Sequence, residues 1–167
     1  ELGEMGVLGA SLHGYGCAGL SPVAYGLILQ ELERGDSGLR SFVSVQGSLC
    51  MYPIHAYGSE AQRRRYVPLL ASGRVLGGFG LTEPGAGSDA GGTATTAVDK
   101  GDHYLLNGAK IFITHGGVGE IFVVTAVTDP GKGTRGITSF ILTKETCDLA
   151  RVRDLGMGHD GELPAMR

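Results

Sequence analysis

The sequence has no tryptophan and few cysteines, the three being Cys17, Cys50 and Cys147. They are odd in number, widely spaced and without a CxxC pair, which argues against a disulfide framework or a zinc site and fits a reducing compartment. No apolar run approaches the length that a helix needs to cross a bilayer, so nothing points to a membrane protein. A surplus of positive charge is also missing: the net charge is −3 and the pI is about 5.9. The chain therefore lacks the electrostatic signature of a nucleic-acid-binding protein.

Two common catalytic motifs are absent as well. The glycine-rich stretch around residue 85 lacks the GxGxxG spacing of a Rossmann fingerprint, and no helix is predicted after it. No GxSxG elbow is present, so a serine hydrolase has no support. His159–Glu162 contains potential metal ligands, but four consecutive polar residues in a glycine-rich stretch more often form a solvated loop. A hydrophobic content of 42% and a charged content of 19% are typical of a soluble globular protein, with room for one domain or parts of two.

The first half of the chain reads as helices. Ser21 and Pro22 form a strong helix start, and apolar residues recur at helical spacing through Arg34. A second helix is predicted from about Ser37 to Met51, with Pro53 ending it. Ser59 and Gln62 form a capping box that begins a third helix running towards residue 71.

From residue 75 onward the pattern changes to that of strands. Asn107–Gly108 is predicted to be a hairpin turn, and the stretch 156–161 to be a loop. Antiparallel strands joined by tight turns indicate a small barrel or sandwich, so the whole chain is predicted to be α+β. The predicted strands are Val75–Leu81, Thr93–Asp99, His103–Leu106, Lys110–Thr114, Ile121–Val127 and Gly136–Thr143.

Two segments carry a family resemblance. The first runs from Phe79 to Asp89 (FGLTEPGAGSD) and the second from Asn107 to Gly117 (NGAKIFITHGG). In order and spacing they resemble the TEPGAGSD-type loop and the NG-x-K-x-[WF]-IT-NG-type segment of the acyl-CoA dehydrogenases, which are flavoenzymes that desaturate acyl-CoA thioesters. His115 stands where the family usually has Asn. The resemblance extends from Leu2 to about Lys144.

The resemblance implies an architecture. It predicts that residues 1–74 belong to an amino-terminal helical domain and residues 75–167 to an antiparallel, β-barrel-like middle domain. We expect the chain to be an internal piece, with the carboxy-terminal helical domain absent. Because the family's catalytic base is a Glu of that domain, no catalytic residue is assigned here. The resemblance also implies FAD as cofactor, electron-transferring flavoprotein as partner, a homotetramer, and a bacterial cytoplasmic or mitochondrial matrix location.

The same resemblance assigns ligand-binding residues. Thr82 would bond the pyrimidine end of the flavin, the Thr114 hydroxyl would face flavin N5, and Ser88 would contact the CoA portion of the substrate. Taken singly, Thr114 could equally be an ordinary strand threonine and Phe112 a core residue. The full set of predicted flavin-binding residues is Phe79, Gly80, Leu81, Thr82, Gly87, Ser88, Phe112, Ile113 and Thr114.

Substrate preference is indicated in both halves, and the two halves differ. The stretch 31–46 resembles the glutaryl-CoA dehydrogenase branch, in which an Arg-Ser pair, here Arg40 and Ser41, meets the distal carboxylate. Arginine suits this role because it can clamp a carboxylate through two parallel hydrogen bonds. Glu33 matches an acidic residue of the same pocket, although an ordinary Arg-Glu pair between neighbouring helices is the alternative.

The segments after Thr82 look more like the short-chain acyl-CoA dehydrogenases. Glutaryl-CoA, with decarboxylation to crotonyl-CoA, is therefore the first prediction and a butyryl-type substrate the second. An acyl-CoA oxidase and a non-catalytic fragment that binds flavin or acyl-CoA remain open alternatives.

Overall fold

A computed structural model describes residues 1–143 and residue 146. It divides into two compact units, the first made of Glu1–Gly78 with Gly119–Ile121, the second of Phe79–Val118 with the described residues from Phe122 onward. The loop predicted over residues 156–161, the polar residues 159–162 and Cys147 lie outside the described residues.

The first unit is helical, after a short hairpin near its start in which strands β1 (His13–Gly14) and β2 (Cys17–Ala18) have two residues each. Strands β1 and β2 of this hairpin pair antiparallel, with His13 opposite Ala18. The elements are β1 His13–Gly14, β2 Cys17–Ala18, α1 Pro22–Gly35, α2 Ser37–Ser44, a π-helical segment Val45–Met51, α3 Tyr52–Tyr57 and α4 Glu60–Ala71.

Helix starts follow the local capping chemistry that the sequence predicts. The Ser21 hydroxyl accepts a hydrogen bond from the Ala24 amide at 3.2 Å, and Pro22 occupies the first turn of α1. The capping box of α4 is also present: the Gln62 amide donates to the Ser59 hydroxyl at 3.2 Å, and the Ser59 amide donates to Gln62 Oε1 at 2.8 Å. Both helix starts are confirmed, because each depends only on residues within one turn.

The prediction that Pro53 ends the second helix is wrong. Helix α2 continues at Val45 into the π-helical segment. That segment leads directly into α3, which ends at Tyr57. Tyr52 donates its amide to the carbonyl of Gly47, five residues back, so the hydrogen-bond register has already shifted before the proline. Pro53 then falls in the first turn of α3, where a missing amide costs least.

The core of the first unit combines an apolar cluster with one buried polar side chain. The side chain of Gln46 is fully buried, and its amide nitrogen donates to the carbonyls of Leu70 at 2.9 Å and Val75 at 3.0 Å. Its Oε1 accepts from the Gly77 amide at 2.8 Å, so this residue joins the end of α4 to the next strand. The apolar cluster consists of Val7, Leu8 and Val43, with Leu2, Ile28, Leu29, Leu32 and Phe42 packed against it.

The second half of the described chain contains a five-stranded sheet, made of β3 Gly77–Gly80, β4 Thr96–Asp99, β5 Tyr104–Asn107, β6 Ile121–Val127 and β7 Ile137–Thr143. Its order is β3-β6-β4-β5, and β7 also pairs with β6. Strands β4 and β5 are antiparallel, but β4 pairs with β6 in parallel, with Thr96 opposite Val127, so the sheet is mixed.

Strand β6 is confirmed with the predicted bounds, and its residues 121–126 are all buried. By contrast, the strand predicted over Lys110–Thr114 is wrong. Phe112 has a φ of 58°, in the left-handed region that a strand does not use, and residues 114–118 form turns. The hairpin turn at Asn107–Gly108 is wrong too, because neither residue has the positive φ of a type I′ turn.

A small apolar cluster of Ile113, Phe122 and Val124, with Leu142 packed against it, lies inside the second unit. Across residues 1–143 and 146, no helix combines the length and apolar character required to span a membrane. The same residues contain no group of three His, Cys, Asp or Glu side chains placed to hold a metal ion.

Candidate functional site

The loop after β3 is held by the buried carboxylate of Glu83, whose side chain is 5% exposed. The carboxylate accepts hydrogen bonds from the amides of Ala94 at 2.7 Å and Thr95 at 3.0 Å. Glu83 and Ala86 also exchange backbone hydrogen bonds of 2.9 and 3.1 Å, which close a tight turn. The glycine-rich loop is therefore anchored at its start.

Lys110, on the second family-like segment, is the partner of Glu83. Its ammonium donates to Glu83 Oε1 at 2.7 Å, to the Leu81 carbonyl at 2.9 Å and to the Thr125 hydroxyl at 3.2 Å. The Ile111 amide adds a bond of 2.9 Å to the Thr82 carbonyl. All three protons of the ammonium have acceptors. These bonds join the glycine-rich loop to the segment that contains Lys110.

The ion pair sets the ionisation of Glu83. Burial acts to raise the pKa of this carboxyl, but the Lys110 ammonium and the amides of Ala94 and Thr95 outweigh burial and hold the pKa at about 2. Glu83 is therefore a carboxylate at neutral pH, and its negative charge is fully occupied by donors. It is unsuited to act as a base.

Three predicted ligand-binding hydroxyls remain available. Within the described part of the chain, the hydroxyls of Thr82, Ser88 and Thr114 form no hydrogen bond. Ser88 is exposed, and the two threonines are half-buried. Gly87, beside Ser88, has open space where a side chain would project, so the fold itself does not demand a glycine there.

Phe112 and Ile113 point to different surroundings. Ile113 is 3% exposed and belongs to the apolar cluster with Phe122 and Val124. Phe112 is 59% exposed, so it is not a core residue, and its left-handed backbone is rare for a bulky side chain. Such conformations cost on the order of 1–3 kcal/mol and concentrate at functional sites.

The predicted substrate residues of the first unit lie on α1 and α2. Arg40 Nε donates to Glu33 Oε2 at 2.6 Å, and the Ser37 hydroxyl donates to Glu33 Oε1 at 2.7 Å. These bonds from Arg40 and Ser37 lower the pKa of Glu33. The helix-to-helix pair raised as an alternative is thus present, but it uses only the Nε edge of Arg40. The terminal guanidinium nitrogens bond no residue within the described chain.

Sequence reasoning missed Lys110 and gave Glu83 no role. The available signals were an acidic residue inside a glycine-rich loop and a lysine three residues after Asn107. The partners lie 27 residues apart, and no local pattern joins them. Their pairing emerges only when the strands of the second unit bring both segments together.

Known proteins resemble this chain in sequence and in fold. Residues 1–74 match the family described as Acyl-CoA dehydrogenase, N-terminal domain, and residues 78–163 match Acyl-CoA dehydrogenase, middle domain. The chain is 44% identical, over 86% of its length, to a short-chain specific acyl-CoA dehydrogenase of Clostridium acetobutylicum. It is 41% identical, over 84% of its length, to a glutaryl-CoA dehydrogenase of Desulfococcus multivorans.

A solved structure is similar in fold as well. The glutaryl-CoA dehydrogenase of Mycobacterium smegmatis in complex with FADH2 superposes with a TM-score of 0.87 at 43% identity, over 98% of this chain and 42% of that one. The chain spans about two fifths of the length of its curated relatives, covering 38% and 37% of the two named above. From the matches to both domains and these identities, the chain belongs to the acyl-CoA dehydrogenase family.

Proposed function

We propose that this chain contributes the flavin-facing part of an FAD-dependent enzyme that desaturates an acyl-CoA thioester between its α and β carbons. One observation carries the proposal. In the second unit Glu83 and Lys110 join two segments, and those segments present an exposed aromatic ring and hydroxyls that form no hydrogen bond with residues 1–143. The FADH2 complex of the Mycobacterium smegmatis relative supports FAD as the group bound.

The residues present fit a flavin. An isoalloxazine ring offers apolar faces together with hydrogen-bonding edges, and a site for it must supply both. Phe112, at 59% exposure, offers apolar surface, while Thr82 and Thr114 offer hydroxyls that no described residue engages. The open space at Gly87 permits close approach of a ligand to the backbone. The Glu83 carboxylate, already satisfied by donors, brings no unpaired negative charge.

Each residue then has a role to perform. FAD, when bound, accepts a hydride from the β carbon of the acyl chain while the α carbon loses a proton, which leaves a carbon–carbon double bond. Thr82 would bond the pyrimidine edge of the ring, and Thr114 would direct its hydroxyl towards N5. Phe79 to Leu81 and the exposed Phe112 would line the ring, Ile113 would contribute only backbone because its side chain is buried, and Ser88 would meet the CoA portion. The acceptor of the α proton is not assigned to any residue of this chain.

Glutaryl-CoA is the substrate that we rank first. Arg40 is held at its Nε edge by Glu33, and its terminal nitrogens remain available to a carboxylate. Ser41 would add a hydroxyl beside it. For this substrate, desaturation is accompanied by loss of the distal carboxylate as CO2, which gives crotonyl-CoA.

A butyryl-type substrate is the second candidate. It is favoured by the relative in Clostridium acetobutylicum, which is named as short-chain specific and is 44% identical to this chain, against 41% for the glutaryl-CoA dehydrogenase of Desulfococcus multivorans. The exposed Arg40–Glu33 pair would then act only between helices, where such a pair contributes little stability.

The wider setting follows the same proposal. We place the boundary between the helical and β domains near residue 75. We propose electron-transferring flavoprotein as the electron acceptor and a homotetramer as the assembly. The compartment proposed is the bacterial cytoplasm or, in a eukaryote, the mitochondrial matrix.

Product analysis of the full-length protein with a dye acceptor tests the reaction. We expect the acyl-CoA to lose two hydrogens, and glutaryl-CoA to lose CO2 in addition. If Thr114 serves N5, Thr114→Val should lower turnover roughly tenfold, the effect of one lost hydrogen bond between neutral groups. Thr114→Ser, which keeps the hydroxyl, is the matched control. Equal turnover in the parent and Thr114→Val would reject the role of Thr114, and no unsaturated product would reject the function.

A further inference from the structure

We propose that Glu83 and Lys110 are positioning residues, whose ion pair sets the relative placement of the two segments that receive the flavin. The inference rests on the proposed function, because it assigns these segments to FAD. It adds a role for two side chains that do not themselves contact the ligand.

The contacts of Lys110 support a positioning role. The ammonium bonds the Leu81 carbonyl and the Glu83 carboxylate, which flank Thr82 on either side. The next residue, Ile111, donates its amide to the Thr82 carbonyl at 2.9 Å. Thr82 is thus bonded at its own carbonyl by Ile111, and both of its neighbours are bonded by Lys110. The chain then continues directly into Phe112 and Thr114, so the same two residues fix both proposed flavin contacts.

The contacts of Glu83 complete the frame. Its carboxylate holds the amides of Ala94 and Thr95, which lead into β4. The Thr125 hydroxyl, which accepts from Lys110, comes from the buried strand β6 and donates to the Gly80 carbonyl at 3.4 Å. The pair therefore ties the glycine-rich loop and the Phe112 segment to two strands of the sheet at one point.

A stabilising role alone explains this arrangement poorly. Replacing a buried ion pair by apolar groups of similar volume is often neutral or favourable for folding, because the charges lose their hydration. The pair is nevertheless 3% and 5% exposed, and every donor of the lysine is used. Supporting residues of this kind hold ligand-contacting groups within a fraction of an ångström of their working geometry.

The test uses the full-length protein with three changes: Lys110→Met, the double variant Glu83→Gln with Lys110→Met, and Gln46→Leu as control. The control removes an equally buried polar side chain whose hydrogen bonds go to Leu70, Val75 and Gly77, all outside the two flavin segments. FAD affinity is measured by titration of the cofactor-free protein, at a temperature where each variant is folded. Thermal unfolding of the cofactor-free protein is measured alongside.

If the pair has a positioning role, the variants should change in FAD affinity independently of their change in thermal stability. Lys110→Met should weaken FAD binding about tenfold or more, as expected for a residue that orients a ligand-contacting group. The double variant carries no unpaired charge and should regain thermal stability, but its FAD affinity should stay low. Gln46→Leu should lower stability and keep the parent's FAD affinity. If FAD affinity recovers together with stability in the double variant, the pair only stabilises the fold and the inference is overturned.

Amide hydrogen exchange of the cofactor-free protein provides a readout that does not depend on flavin. Residues 79–95 and 107–117 should exchange faster in the double variant than in the parent, and at the parent rate in Gln46→Leu. Should the parent protein bind no FAD, the proposed function fails, while the exchange data still decide the positioning role. Unchanged exchange in both segments would contradict that role.

Discussion

At the scale of single residues, Arg40 is the side chain on which the proposed preference for glutaryl-CoA rests. Its Nε edge is bonded to Glu33, and its terminal nitrogens face no described partner. Arg40→Ala should raise the KM for glutaryl-CoA roughly tenfold or more, the cost of a lost charge-assisted bond, and leave butyryl-CoA kinetics near the parent's.

The chain offers a matched control for that change. Arg34 forms an exposed pair with Glu31 within α1, at 3.1 Å, so Arg34→Ala removes a similar surface ion pair. We expect Arg34→Ala to leave the kinetics of both substrates unchanged. Equal losses on glutaryl-CoA and butyryl-CoA after Arg40→Ala would assign Arg40 to the scaffold.

Glu83 gives a prediction about pH. Its folded-state pKa is about 2, below its ordinary value of 4.5, so its contribution to stability is fully present above pH 4.5. That contribution is lost as the pH falls from 4.5 towards 2. In urea unfolding of the cofactor-free protein, the stability difference between the parent and Glu83→Gln should therefore shrink over this range. A difference that stays constant from pH 7 to about pH 2 would show that the ionised form has no special stabilisation.

At the scale of elements, Gln46 links α4 to β3 by three hydrogen bonds. Gln46→Leu removes three hydrogen bonds, two of them buried, so we expect a loss of roughly 2–4 kcal/mol in the free energy of unfolding. Urea denaturation measures it. Gln30→Ala, at an exposed position of α1, is the control and should change the same quantity by less than about 0.5 kcal/mol. Similar losses in both variants would mean that the bonds of Gln46 contribute nothing specific.

The sequence predicted those elements whose causes are local. Ser21 and Ser59 start helices through bonds within one turn, and the apolar run of β6 marks a strand buried on both faces. It failed where tertiary contacts decide. A proline suggests a helix end at Pro53. The preceding shift to π-helical register places this proline in the first turn of α3, where its missing amide breaks no hydrogen bond of the helix. The alternation of residues 110–114 resembles a strand, yet Lys110 and Ile113 are drawn inward while Phe112 turns left-handed between them.

At the scale of the whole molecule, the candidate site divides in the same way. The sequence pointed to both segments that we propose face the flavin, because their residues are consecutive and resemble a family. It could not identify the Glu83–Lys110 pair, whose partners are separated by β4 and β5 in the chain. The sheet thus brings the two segments together, and the residues that we propose contact the ligand lie within the segments themselves.

The central claim is that this chain receives a flavin which an acyl-CoA thioester reduces. Anaerobic mixing of the full-length protein, loaded with FAD, with glutaryl-CoA and separately with butyryl-CoA tests it most directly. The account predicts that the visible flavin absorption bleaches with both thioesters, and faster with glutaryl-CoA. Faster bleaching by butyryl-CoA would reverse the substrate ranking and assign Arg40 to the scaffold. No bleaching by either, in protein that holds FAD, would contradict the central claim for these two thioesters.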